Sequence, residues 1–104
     1  MIKQVFTVKR KEGMSFEDFK KYYLEKHAPL VTKSFAEIRK YVVNMALQRG
    51  KPTQYDAVTE ISWDNFDTLL KIAKSDTYNN VIRPDEQKFV GSMEVILTEE
   101  FIQK

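Results

Sequence analysis

One side chain in this sequence, His27, has an ordinary pKa near neutrality, and it is the chain's only histidine. It lies in the stretch SFEDFKKYYLEKHAPLV, Ser15 to Val31, after Phe16, Phe19 and Tyr23. At helical spacing these four side chains share a narrow arc of one face. Lys20, Lys21 and Glu25 fall on other faces, where water solvates them. An imidazole on the apolar face of a helix can take or give a proton at an acidic carbon or a phenol. Tyr23, one turn earlier, and Tyr41 or Asn44 on a later strand are candidates to hydrogen-bond a carbonyl or enolate oxygen. Tyr41 and Asn44 have opposite parity, so an undistorted strand aims only one of them at the helices. Asn44 is favoured, because an amide in mid-strand needs a partner. Phe6 and Trp63 are candidate walls of an aromatic pocket. A structural reading stands beside each assignment. A lone histidine on such a face is more often a core residue bonded to a carbonyl, Phe6 and Trp63 suit packing, and Tyr23 suits an ordinary helix face.

Other chemistries find little support. The chain has no cysteine, so disulfides, thiolate nucleophiles and sulfur-ligated zinc are excluded. One histidine makes an all-protein transition-metal site improbable, and no metal is expected. Glu99 and Glu100 are adjacent on a strand and point to opposite faces. Asp85 and Glu86 follow Pro84 and read as helix-start residues. There is no Gly-x-Ser-x-Gly elbow, and the three glycines build no phosphate-cradling loop. With 17 basic and 15 acidic residues, the net charge of +2 gives no case for nucleic acid. The densest basic run, Lys9-Arg10-Lys11, reads as a solvated loop. No apolar run reaches signal-peptide or membrane-spanning length, so no membrane association and a cytoplasmic location are expected.

The elements that must position His27 follow from periodicity. Ile2 to Lys9 alternates as a strand, with Ile2, Gln4, Phe6 and Val8 on one side. Ser15 is a good N-cap for the first helix, and Pro29 predicts that this helix stops or kinks just after His27, with a further short turn of helix through Lys33. Ile38 to Leu47 and Tyr55 to Trp63 are strands joined by a loop containing Gly50 and Pro52. Asp64 caps a second helix to about Lys74, with Phe66, Leu69, Leu70 and Ala73 as its buried stripe. Short helical turns flank Pro84, and Met93 to Ile102 is the last strand. The order βαββαβ predicts one ferredoxin-like α+β domain over residues 1–104, a four-stranded antiparallel sheet with helices on one face. The other face still carries apolar side chains, which argues for a homodimer formed through it.

The segments KRKEGMSFEDFKKYYLEKHAPLV, RKYVVNMAL and YDAVTEISW, in this order and spacing, resemble the EthD family, named from bacterial ether degradation and belonging to the dimeric α+β barrels. The resemblance implies two sheets facing each other across a dimer and a cleft in each subunit between sheet and helices. It also makes the histidine of the HAPL segment, His27, the site candidate. The wider group of such barrels includes polyketide cyclases, muconolactone isomerase-like proteins and small monooxygenases, some acting on aromatic substrates without metal. Haem-binding barrels take a histidine from the second helical region, and Phe66 to Phe89 holds none. The expectation is a small enzyme without cofactor, moving a proton through His27 on an aromatic or polyketide-like molecule as cyclase, isomerase, dehydratase or oxygenase. The alternatives are a non-catalytic small-molecule binding protein or an accessory partner of an oxygenase in a degradation pathway.

Overall fold

The computed structural model describes residues 1–104. Alternating apolar residues form β1 (Ile2–Arg10), which lies inside a sheet of order β2-β3-β1-β4 with β2 (Lys40–Met45), β3 (Ala57–Trp63) and β4 (Val90–Glu99). Every neighbouring pair is antiparallel. The helical segments α1 (Phe16–Tyr22), α2 (Ala28–Ser34), α3 (Phe66–Ala73) and α4 (Arg83–Glu86) complete the split βαβ arrangement expected of a ferredoxin-like α+β fold.

Parity decides which side chains meet the helices. Phe6 pairs with Thr59 and Val95 across the sheet, and Tyr41 with Ile61, all on the helix-covered face. Val8, Phe19, Tyr23, Ala57 and Phe89 form one buried cluster there. Val31, Phe35, Ile61, Trp63, Leu69, Ile72 and Ile82 form a second. Phe6 touches both. Val5, Val42, Val58 and Ile96 have the opposite parity and lie on the outer face.

The ladder sets the strand ends. The first residue of β1, Ile2, pairs with Glu99, so β4 has no partner beyond that point and stops short of Ile102. At its start, β4 begins at Val90, before the expected Met93, because β1 continues to Arg10 through an irregularity at Lys9 and Arg10. Gly91 permits this close approach: a Cβ there would stand 2.5 Å from the Arg10 carbonyl oxygen. Arg10 is therefore part of a strand end rather than a solvated loop. Its guanidinium and backbone N–H both bind the Asp56 carboxylate, at 2.5 and 2.8 Å.

The first helix does not end at His27. Tyr23–His27 forms a π-helical turn, in which the Ala28 N–H donates to the Tyr23 carbonyl, and α2 continues to Ser34. Pro29 sits in the first turn of α2, where its missing N–H costs little, and the wider turn before it accommodates the ring. The device recurs. Tyr78–Ile82 is a second π turn, closed by the Arg83 N–H on the Tyr78 carbonyl and followed by Pro84 in α4.

Two details of α3 also differ from expectation. Its cap is Asn65, whose side chain accepts from the Thr68 N–H at 2.9 Å. Asp64 is instead committed to a two-pronged pair with Arg39, at 2.9 and 2.6 Å. The buried residues are Leu69 and Ile72, while Phe66 and Leu70 are 48% and 37% exposed.

Candidate functional site

The Tyr23–His27 π turn and α4 face each other over the helix-covered side of the sheet, and between them lies a cavity of about 300 Å³ with mostly hydrophobic walls. That volume suits a small organic molecule, at the low end of the roughly 300–1,000 Å³ found for ligand pockets. His27 lines it and is only 4% exposed. Its Nδ1 lies 2.8 Å from Asp85 Oδ2 at the start of α4, and the other Asp85 oxygen accepts from the Tyr22 hydroxyl at 2.6 Å. Lys88 Nζ stands 3.6 Å from that same oxygen.

The charge states follow from these contacts. Burial opposes ionisation of Asp85, but hydrogen bonds from Tyr22 and His27 outweigh it and hold the carboxyl below its ordinary range. Burial pushes His27 below its ordinary 6.5, against the attraction of Asp85. Near neutral pH the pair is thus an ionised carboxylate and a neutral imidazole, with the imidazole proton on Nδ1 facing Asp85. Nε2 then carries the lone pair and has no hydrogen-bond partner within the chain. Burial, reinforced by Asp85, pushes the Tyr22 phenol up to about 12, so Tyr22 remains a donor. Phe89 packs its ring 4.8 Å from the imidazole and 4.9 Å from Tyr23, which fixes the plane in which Nε2 can point.

A second polar group stands on the sheet. The Tyr23 hydroxyl and Thr59 Oγ1 share a 2.5 Å hydrogen bond, and Tyr41 lines the cleft beside them. Burial raises both phenols above their ordinary value, so each stays protonated and able to donate. A third group belongs to the second π turn and α4. Tyr78 donates to Glu86 Oε1 at 3.3 Å, burial raises the Glu86 carboxyl, and Arg83 lies over the Tyr78 ring. Trp63 Nε1 donates to Gln4 Oε1 at 2.9 Å, leaving its ring on the wall. The arrangement offers a base, phenolic donors and an apolar enclosure.

Of the residues singled out from sequence, His27, Phe6, Tyr23 and Trp63 converge on this one cleft. Asn44 does not. It pairs with Val58 on the outer face, where its Nδ2 donates to the Val58 carbonyl and to Glu60 Oε2, both at 3.0 Å. Tyr41, the other of the two parity alternatives, takes the inward position. Asp85 and Glu86 are not merely helix-start residues: one binds His27 and the other enters the cleft. Sequence reasoning passed over both, with Arg83, Tyr78 and Thr59. The available signal was the repeated spacing of Tyr23 to Pro29 and Tyr78 to Pro84.

Elsewhere, no group of three or more side chains of metal-ligating type converges, and no helix is long and apolar enough to cross a membrane. The EthD domain family matches residues 11–92. The chain is similar to the solved structure of an ethyl tert-butyl ether d family protein from Bacillus halodurans, with 21% identity and a TM-score of 0.76 over 97% of this chain and 99% of that one. It is also similar to an EthD-like protein from Ralstonia eutropha, with 18% identity and a TM-score of 0.76 over 99% and 94%. A dimeric protein of unknown function with a ferredoxin-like fold from Bacteroides fragilis shares 14% identity and a TM-score of 0.69 over 95% of each chain. At such identities the likeness shows the fold. No curated protein matches the chain.

Proposed function

The chain belongs to the EthD family, and we propose that it binds a small aromatic or polyketide-like molecule in the cleft and transfers a proton through His27. The observation that carries this reading is the Asp85–His27 pair, which leaves an unengaged Nε2 on the wall of an apolar cavity. In that setting Nε2 accepts a proton from an acidic C–H or phenolic O–H, and Asp85 stabilises the imidazolium formed. The Tyr23 and Tyr41 hydroxyls donate to the oxygen on which negative charge develops. Phe6 and Trp63 stack against the ring or planar chain of the ligand. Net reactions of this type are enolisation, cyclisation, dehydration and isomerisation. A binding protein without turnover would use the same walls but would not need a tautomer held by an ionised partner.

NMR tests this on untagged protein, where any histidine signal must be His27. The imidazole is expected to titrate below 6.5 and to move again with one member of a panel of phenolic and β-dicarbonyl compounds. That compound is then expected to exchange its acidic C–H with deuterated solvent faster in the protein's presence. A His27 signal at its ordinary position, unmoved by the whole panel, would sink the reading.

The second copy is part of the proposal. The outer sheet face presents Val5, Val42, Val58 and Ile96, with Ile96 63% exposed. A matching face from another copy would cover these side chains, and the similar protein from Bacteroides fragilis is dimeric. Light scattering is expected to give twice the 12.3 kDa chain mass. A monomer at micromolar concentration would reject it.

A further inference from the structure

We propose that the ligand of this cleft carries a carboxylate, bound at the mouth by Arg83, with an apolar body that extends inward to His27. The inference rests on the reading of the cleft as a small-molecule site and names the class of molecule. Arg83 is the only lysine or arginine that lines the cavity. It is exposed, forms no ion pair within the chain, and its guanidinium carbon sits 5.8 Å from the centre of the Tyr78 ring. Of the other three arginines, Arg10 is committed to Asp56 and Arg39 to Asp64, while Arg49 is exposed and unpaired but lies away from the cavity. A guanidinium poised on an aromatic face, with no carboxylate of the chain paired to it, suits a planar two-oxygen acceptor.

The rest of the cleft favours the same polarity. Burial raises the Tyr23, Tyr41 and Tyr78 phenols and lowers His27, so these stand neutral, and burial also draws Glu86 toward its neutral form. Arg83 is therefore the one cation at this end of the cleft, and Glu86 opposes an incoming anion less than an ordinary glutamate would. The Tyr78 hydroxyl donates its one proton to Glu86 across 3.3 Å, which draws on the negative charge of that carboxyl beside the guanidinium. A ligand with a carboxylate at one end and a phenol or acidic carbon at the other would satisfy Arg83 and His27 together.

The test uses para-hydroxyphenylpropionate and its isosteric amide. Occupancy is followed by quenching of Trp63, which is the chain's only tryptophan and a wall residue. The wild-type protein is expected to bind the acid about 10-fold more tightly than the amide, the size of effect a charge-assisted pair gives at a partly exposed site. Arg83→Gln is expected to remove that preference by weakening the acid alone, and Arg83→Lys to keep part of it. Arg83 is exposed, so neither variant threatens the fold. Equal binding of acid and amide by the wild type, or a preference that survives Arg83→Gln, would overturn the proposal while leaving the cleft reading in place. Quenching by neither compound would overturn the cleft reading and this inference with it.

Discussion

His27→Gln is expected to slow the solvent exchange of a bound compound's acidic C–H by about 10²–10⁴-fold, the usual contribution of a positioned general base. Binding of the compound should change far less, because glutamine keeps a polar group of similar length and can still donate to Asp85. Asp85→Asn should produce a smaller fall, with a signature that a purely structural role would lack. The active form is the neutral imidazole, so the rate rises with pH through the His27 pKa. In the wild type, burial holds that pKa below 6.5 while Asp85 pulls the other way. Removing the carboxylate charge removes the upward pull, so the acid limb moves to lower pH. The plateau falls as well, because a neutral amide neither stabilises the imidazolium nor enforces a proton on Nδ1. A pH profile unchanged in both limb and plateau would reduce Asp85 to a structural partner of Tyr22.

The same pair shows where sequence reasoning reached and where it stopped. His27 and Tyr23 were legible as cleft residues because helical spacing alone puts them on the face that the sheet must cover. Phe6 and Trp63 were legible because strand parity is a local property. Asp85 lies 58 residues from His27, and no spacing rule connects them. Pro84-Asp85-Glu86 also had a sufficient local explanation as a helix start, which concealed its distant one. Parity reduced the choice on β2 to Tyr41 or Asn44 but could not say which faced inward. The amide's need for a partner was correctly read, yet the partner is Glu60 on the outer face, where Lys3 also binds Glu60 at 2.9 Å. Pro29 was half legible for a related reason: the helix changes its winding at His27 and a further turn follows, but Ala28 keeps helical angles. The rule against a helical residue before proline is a local preference, and a π turn packed through Tyr23 and His27 overrides it.

Phe89→Ala joins the core to the site. Phe89 is 1% exposed and lies against Phe19, Tyr22, Tyr23 and His27, with ring centres 5.8, 5.3, 4.9 and 4.8 Å away. Truncating such a ring typically costs about 3–5 kcal/mol, from lost transfer energy and the cavity left behind. Against a typical total of about 5–15 kcal/mol, that is a large fraction of the stability of a domain this size. Urea denaturation is therefore expected to show a strongly lowered midpoint with an unchanged slope. Phe89→Leu should keep most of the stability and isolate the second consequence. A smaller side chain beside the imidazole admits water, and burial is the largest influence holding His27 below its ordinary pKa. Its titration should then move upward toward 6.5, and the acid limb of the exchange rate should move with it. A leucine variant that loses stability while His27 titrates as in the wild type would assign Phe89 to the core alone. A shift in both would make the ring that closes the core also the element that keeps the base neutral.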